Sequence, residues 1–197
     1  MTEVALIRHY PTDWNRERRL PGRTDRPLDA EARAALAGLR LPPPWDGRAI
    51  LASPLARAVD TARALADGRA VGTDARLAEI AYGDWEGRLV AEMTADPSSG
   101  FVPADRLGWS ARPPGGGESA AEAWDRVLPL LAEIAARGEP TLLVLHKALM
   151  RVILRMAAGG PGAQAPEIKR GRLYPLRLDA RGHPAPDGAP VRLEPRS

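Results

Sequence analysis

The sequence predicts an α/β fold in one domain that spans residues 1–197. Short apolar runs alternate along the chain with helix-forming segments, and no repeat of about 20 to 50 residues is visible. The runs are too short for helices and predict strands, several of them buried on both faces. Strands are expected at residues 4–9, 48–52, 70–73, 140–146, 172–178 and 191–193.

Start signals predict the helices between these strands. A Pro at the first helical position or a capping side chain before it marks three of the four starts, and helix-forming residues alone indicate the last helix. The four helices are expected at residues 30–39 after Asp29, 55–65 after Ser53 and Pro54, 120–137 after Ser119, and 148–157. Ser119 and Glu122 have the spacing of a capping box. Pro129 should kink the third helix or mark its restart.

The first predicted strand ends in an arginine and a histidine. Pro11 cannot donate to a sheet ladder and biases Tyr10 away from a helix, so the strand must end near His9. Ligands of open α/β sheets bind at such carboxyl ends. Arg8 carries donors suited to phosphate or carboxylate, and His9 can serve as nucleophile or proton carrier. Taken alone, the pair also fits a surface ion-pairing site without chemistry.

Two other strand ends carry groups that complement this pair. Ser53 and Arg57 follow the second strand, with Arg57 in the first turn of a helix, where an anion is favoured. His146 follows the strand at residues 140–146. If these strands are parallel and adjacent, the groups converge into a cationic cradle for a phosphate dianion. No GxxxxGKS loop is present, so nucleotide-dependent phosphoryl transfer is not indicated.

The composition excludes several other classes of protein. Charged residues make up 27% of the 197 residues and hydrophobic ones 44%, as in ordinary globular proteins. Cysteine is absent, and the three histidines lack metal-ligand spacing, so no metal site is expected. Basic residues are scattered along the chain, which argues against nucleic-acid binding. No signal peptide or membrane-length apolar run occurs, so a cytoplasmic location is expected.

Six blocks of the sequence, in order, resemble the histidine phosphatase superfamily, the phosphoglycerate mutase-like proteins. Residues 6–15 resemble its Arg-His-Gly-Glu-Thr-x-x-Asn signature. The other blocks are Gly22-x-x-Asp25-x-Pro27-Leu28, Ser53-Pro54-Leu55-x-Arg57-Ala58-x-x-Thr61-Ala62, Leu77-x-Glu79-Ile80-x-x-Gly83-x-Trp85-Glu86-Gly87, Gly116-Gly117-Glu118-Ser119, and Val144-Leu145-His146 with Arg151. The resemblance implies a doubly wound, three-layer α/β/α fold with a mostly parallel central sheet.

The resemblance also implies a role for each matching residue. His9 would be the nucleophile that takes the phosphoryl group. Arg8, Arg57 and His146 would hold the phosphate and stabilise charge in the transition state. Glu79 would protonate the leaving oxygen and then activate water. These five residues are the predicted catalytic group.

Three more residues are expected to complete the pocket. Thr12 and Asn15 would line its edge, and the backbone around Ser119 would close one side. Glu86 is a rival to Glu79 as the acid. The ring nitrogen of His9 that does not attack needs an acceptor, such as a backbone carbonyl, to fix its tautomer.

The chain departs from the family signature at two places next to the predicted site. Tyr10-Pro11 replaces the usual Gly-Glu, which makes the loop after His9 bulkier and stiffer. Lys147 stands where Gly or Ala is common, and it could add a phosphate contact or narrow the entrance. Both departures bear on the substrate more than on the mechanism.

The leading prediction is a metal-independent phosphomonoesterase of the small-phosphatase branch. It would use a phosphohistidine intermediate, no cofactor, and a small phosphorylated metabolite, of which α-ribazole phosphate is one candidate. A cofactor-dependent phosphoglycerate mutase is the first alternative, and a non-catalytic phosphate-binding module is the second. The expected partner is a small phosphoester, with no nucleic acid and no membrane. The oligomeric state is left open, a homodimer included.

Overall fold

The protein is described from a computed structural model that covers residues 1–103 and 106–196. This part of the chain contains six α-helices and nine β-strands. The helices are α1 Asp13–Glu17, α2 Ala30–Ala37, α3 Ala56–Ala66, α4 Val90–Ala95, α5 Ala120–Arg137 and α6 Lys147–Ala157. The strands are β1 Thr2–Arg8, β2 Leu39–Arg40, β3 Ala49–Ala52, β4 Gly72–Thr73, β5 Thr141–Leu145, β6 Arg172–Leu178, β7 Pro184–Pro186, β8 Val191–Arg192 and β9 Glu194–Pro195.

Seven of the strands form one central sheet in the order β4-β3-β5-β1-β6-β7, with β8 also paired to β6. The four strands β4, β3, β5 and β1 are mutually parallel. The remaining edge is antiparallel, because β6 runs against β1 and both β7 and β8 run against β6. The predicted α/β class with a largely parallel central sheet is therefore confirmed.

The sheet is covered on both faces, as alternation along β1 shows. Val4 and Leu6 belong to an apolar cluster with α5 and α6, whereas Ala5 and Ile7 belong to a second cluster with α2 and α3. All four side chains are fully buried. A strand buried on both faces reads as a continuous apolar run, which is the pattern found in the sequence.

The start of α3 differs from the prediction. Ser53 is not its N-cap: the helix begins at Ala56, and Leu55 occupies the cap position without a side-chain hydrogen bond. The side chain of Asp25, from a distant loop, instead accepts the amide of Ala56 at 2.8 Å. Because this cap comes from elsewhere in the fold, nothing in the residues around α3 indicates it.

Other elements were missed or misjudged. Helix α1 is absent from the predicted helices, although Thr12 and Asn15 form a reciprocal capping box at its start. The short strands β2 and β9 pair with each other, and β7 adds to the sheet next to His183. Helix α5 has the predicted bounds and capping box, but it runs through Pro129 without ending or restarting.

Candidate active site

Three parallel strands bring the predicted residues to one edge of the sheet. Because β5 lies between β1 and β3, their carboxyl ends meet. The ladder continues past the strands: the amide of His9 donates to the carbonyl of Leu145 at 2.9 Å, and that of Ser53 donates to Val144 at 3.0 Å. His146 follows directly after β5. The convergence inferred from the sequence is present.

The tautomer of His9 is fixed by the backbone. Its Nδ1 lies 2.6 Å from the carbonyl oxygen of Tyr10. A carbonyl oxygen can only accept, so Nδ1 carries the hydrogen and Nε2 keeps its lone pair. Burial, followed by the charges of Arg57 and Arg8, holds the pKa of His9 well below its usual 6.5. The imidazole is thus neutral at physiological pH, as a nucleophile must be.

His146 and Arg57 form a closed, hydrogen-bonded group behind His9. The Nε of Arg57 donates to Nδ1 of His146 at 3.3 Å, and Nε2 of His146 lies 2.7 Å from the hydroxyl of Ser53. Since arginine has only donors, Nδ1 of His146 is the accepting nitrogen and Nε2 carries the hydrogen. Burial, followed by His9 and Arg57, lowers the pKa of His146 well below its ordinary value. Its ring centre lies 5.0 Å from that of His9.

The rest of the Arg57 guanidinium holds a loop. Its two terminal nitrogens donate to the carbonyls of Thr24 and Gly22 at 2.9 and 2.6 Å. Arg57 and His146 are both completely buried and lie behind the pocket wall rather than in it. Arg57 therefore orders this loop as well as lying close to His9.

Glu86, the rival acid, holds the same loop from a separate turn of the chain. Its carboxylate accepts the amides of Arg23, Thr24 and Tyr82, each at 3.0 Å, and the hydroxyl of Thr24 at 2.9 Å. Gly22 has a φ of +48°, and a Cβ there would overlap the Glu86 carboxylate. Three of these hydrogen bonds hold the loop at Arg23 and Thr24, and the fourth, from Tyr82, holds the turn of Glu86 itself.

Glu79 is the carboxylate that does reach the pocket. It is 5% exposed, and its oxygens accept the amides of Ile80, Ala148 and Leu149 at 3.0 to 3.1 Å. Two of these amides belong to the first turn of α6, whose positive pole favours a carboxylate. Of the two acids considered, only Glu79 lines the pocket with His9.

The open side of His9 is a strongly basic pocket of about 320 Å³. Arg8 and Arg170 face it, and the Nε atom of each is buried without a hydrogen-bond partner. Within the described chain, neither side chain makes an ion pair with a carboxylate. Burial, with the nearby charge of Arg170, lowers the pKa of Arg8 to about 10. Two neighbouring guanidiniums without a counter-ion make this pocket suited to an anion.

The remaining predicted residues divide between pocket and scaffold. Asn15 lines the pocket, and so does Lys147 at the start of α6. Thr12 is fully buried and caps α1, while Ser119 caps α5; neither lines this pocket. Arg170 was missed, because nothing marks it among the many arginines of the sequence.

Neither a metal-binding cluster nor a membrane-spanning helix occurs among the described residues. No group of three or more of their His, Cys, Asp or Glu side chains is placed to hold a metal ion. No helix in residues 1–103 and 106–196 is both long and apolar enough to cross a bilayer.

Comparison with known sequences identifies the family. The family model described as histidine phosphatase superfamily (branch 1) matches residues 4–182. A glucosyl-3-phosphoglycerate phosphatase from Mycolicibacterium vanbaalenii is 33% identical, over 95% of this chain and 87% of its own length. A probable phosphoglycerate mutase from Salmonella paratyphi C is also 33% identical, over 82% of this chain and 77% of its own.

Solved structures agree with the sequence relatives. A mycobacterial glucosyl-3-phosphoglycerate phosphatase, solved with VO3, has a TM-score of 0.73 at 28% identity and covers 90% of this chain and 93% of its own. A phosphoglycerate mutase from Thermus thermophilus has a TM-score of 0.68 at 33% identity and covers 89% and 92%. The resemblance found in the sequence is confirmed, and the chain is a phosphatase of the histidine phosphatase superfamily, branch 1.

Proposed function

We propose that the chain hydrolyses phosphomonoesters of small metabolites through a phosphohistidine intermediate on His9. The observation that carries the proposal is the fixed tautomer of His9, whose Nδ1 is held by the Tyr10 carbonyl. This leaves Nε2 as a neutral nucleophile in a pocket that also contains the unpaired guanidinium of Arg8. A phosphate dianion would supply the counter-ion that Arg8 lacks.

The reaction has two steps, transfer of the phosphoryl group to His9 and hydrolysis of the phosphohistidine. In the first, the lone pair of His9 Nε2 forms a bond to phosphorus while the ester oxygen leaves, and protonated Glu79 gives that oxygen its proton. In the second, Glu79 takes a proton from water, whose oxygen attacks phosphorus as the N–P bond breaks. Arg8 stabilises the charge that spreads over the phosphoryl oxygens in both steps.

The proposed roles of Arg57 and His146 in holding the phosphate rest on their position against His9. The His146 ring and the Arg57 guanidinium lie behind the attacking residue, and Arg57 is among the charges that lower the pKa of His9. Asn15 is proposed to contact the substrate at the pocket edge, as its place in the lining supports. Thr12 and Ser119 are proposed to act through the helices that they cap.

The test is hydrolysis of an aryl phosphate by wild type, His9→Gln and His183→Gln, with and without a chelator. His183 is an exposed histidine outside the pocket and provides the matched control. We expect His9→Gln to lose activity by about 10⁴-fold or more, because an enzyme without its nucleophile keeps only binding effects. Rapid quenching and mass spectrometry should detect the phosphoenzyme in wild type and His183→Gln but not in His9→Gln. Equal activity in wild type and His9→Gln would remove His9 as the nucleophile.

The alternatives predict different products. A phosphoglycerate mutase, supported by the name of the Salmonella relative, would transfer the phosphoryl group to an acceptor and release little inorganic phosphate. A non-catalytic binding module would bind phosphate without turnover. Comparing phosphate release with transfer to glycerol separates all three.

The physiological substrate is proposed only as a class. α-Ribazole phosphate stays a prediction, and the name of the mycobacterial relatives adds glucosyl-3-phosphoglycerate as a second candidate. A small phosphoester as the partner and a cytoplasmic location likewise stay predictions from the sequence, and the oligomeric state stays open. Assay of both candidate substrates with the purified chain would rank them by kcat/KM.

A further inference from the structure

A second basic cleft of about 350 Å³ adjoins the catalytic pocket at the antiparallel edge of the sheet. It lies where the loop before β6 meets the pair of strands β6 and β8. No acidic residue of the described chain contributes to its lining. The cleft is lined by Leu39, Lys169, Arg170, Arg172, Arg192 and Leu193, with Gly171 at its base.

Strand register places two of these cations directly against each other. Arg172 of β6 is the cross-strand partner of Arg192 of β8. Like charges opposed in an antiparallel pair are destabilising. The structure gives neither side chain an ion pair or hydrogen bond within residues 1–103 and 106–196. Lys169 does have a partner, Glu167, at 2.9 Å, but both of these side chains are largely exposed.

Arg170 connects this cleft to the catalytic pocket, because it lines both cavities. Arg170 lines the pocket together with Arg8, and it lines the cleft together with Arg172 and Arg192. An anion in the cleft and a phosphate on His9 would both contact Arg170. The two cavities therefore form one continuous cationic surface.

The segment that carries Arg170 is held by a residue that departs from the family signature. Gly171 has a φ of +67°, and a Cβ there would lie 3.2 Å from the hydroxyl of Tyr10. The carbonyl of Gly171 accepts the amide of Leu193 at 3.0 Å. Tyr10, in place of the usual glycine after the nucleophile, thus packs against the backbone that directs Arg170 between the two cavities.

We propose that the cleft of Lys169, Arg170, Arg172 and Arg192 is a second anion subsite, which binds a further phosphate or carboxylate of the substrate. The substrate class is then a phosphomonoester with two anionic groups, one transferred to His9 and the other held in the cleft. This inference rests on the proposed function, since it assigns the substrate of the same site.

The test compares matched substrates that differ only in the second anion. Simple alkyl phosphates would be assayed beside alkanediol bisphosphates and ω-phosphorylated carboxylates of the same chain length. The variant is Arg172→Gln with Arg192→Gln, two residues outside the catalytic pocket. The charge-matched control is Arg63→Gln with Arg181→Gln, both exposed and outside this cleft.

In wild type we expect kcat/KM to be about tenfold or more higher for doubly anionic substrates, since charge-assisted contacts are the strong ones. The double variant should lose that preference because its KM for the doubly anionic substrates rises. It should keep wild-type kcat/KM for the alkyl phosphates. The control pair should retain the preference. Comparison of the bisphosphate with the carboxylate series identifies which anion the cleft binds.

Two results would overturn the subsite. One is wild-type activity on alkyl phosphates with no preference for a second anion, and the other is a preference that survives in the double variant. Arg192→Gln alone, an exposed change at the end of a two-residue strand, provides a partial loss if the double variant does not fold. Failure of the proposed function gives a different result, in which wild type and His9→Gln hydrolyse none of the substrates.

Discussion

Two arginines on opposite sides of His9 are buried in very different ways. Arg57 is completely buried, and all three of its nitrogens donate to the chain: to His146, Thr24 and Gly22. Arg8 is mostly buried as well, but its Nε has no partner and no carboxylate pairs with it within the described residues. Every nitrogen of Arg57, on the closed side of the nucleophile, has a hydrogen-bond partner in the chain, whereas the Nε of Arg8, on the side open to the pocket, has none.

The difference separates scaffold from binding site. A buried cation in which every nitrogen has a partner in the chain stabilises the fold and keeps its neighbours in place. A buried cation without partners destabilises the unliganded protein and gains its partner when an anion binds. Arg170, which also has a buried Nε without a partner, belongs with Arg8 on the open side. Four experiments test whether the two sides differ in this way.

The largest effect on stability is expected from Arg57→Leu. Removal of the guanidinium leaves two carbonyls and a ring nitrogen buried without donors, which should cost about 3–5 kcal/mol of unfolding free energy. Arg8→Leu should leave the unfolding free energy within about 1 kcal/mol of wild type or raise it, because it removes an unpaired buried charge. Urea denaturation of both variants measures the contrast. Equal losses of unfolding free energy in the two variants would show that Arg57 and Arg8 contribute to stability in the same way.

The second effect concerns activity and phosphate binding. Arg8→Gln should lower kcat/KM by about 10²- to 10³-fold, because it removes a donor from the charge that develops on the phosphoryl group. Inorganic phosphate should raise the Tm of wild type but not of this variant. Arg63→Gln, which removes an exposed arginine, is the control. If inorganic phosphate still raises the Tm of Arg8→Gln as much as that of wild type, the anion does not bind at Arg8.

The third effect is a loss of stability in acid. His9 and His146 have pKa values well below 6.5 in the folded protein, so the unfolded chain takes up their protons first as the pH falls. The free energy of unfolding should therefore decrease below about pH 6.5, by up to about 1.4 kcal/mol per pH unit for each histidine. Denaturation at pH 7 and pH 5 should show a smaller decrease in His9→Gln than in wild type. His183→Gln is the matched control, and an unchanged slope in His9→Gln would contradict the burial argument.

The smallest effect is expected from Ser53→Ala on the closed side. The variant leaves the Nε2 hydrogen of His146 without its acceptor and should cost about 1 kcal/mol. A lower Tm with most of the activity retained is the expected outcome. Ser110→Ala, at an exposed position, controls for loss of a hydroxyl. Complete loss of activity would give Ser53 a direct part in the reaction.

The sequence predicted the features that depend on local rules. The end of β1 at Arg8, next to His9, followed from Pro11, and the capping box of α5 followed from Ser119 and Glu122. The need of His9 for a backbone acceptor followed from imidazole chemistry, and the Tyr10 carbonyl meets it. The choice of Glu79 over Glu86 as the acid came from the family resemblance and stays a prediction; Glu79 lines the pocket, whereas Glu86 binds the amides of the neighbouring loop.

The failures involve partners that are distant in sequence. Ser53 was expected to cap α3, but Asp25 binds the first amide of that helix from another loop. Thr12, by contrast, had a local signal for its place at the start of α1, because its spacing to Asn15 is that of a capping box. Arg170 has no local signal, because Tyr10, the residue that packs beside its backbone at Gly171, lies 160 positions earlier in the sequence. Propensity and spacing cannot report such contacts.

The position of β5 has a consequence for biosynthesis. This strand is the only link between β1 and β3 among the described strands, so the first two strands of the central sheet to emerge from the ribosome have no common neighbour until it arrives. At about 5–20 residues per second, the nucleophile precedes the strand that supports it by on the order of ten seconds. During that interval the edges of β1 and β3 that later pair with β5 are exposed. Exposed apolar strand edges favour aggregation, so we expect the nascent chain to bind chaperones.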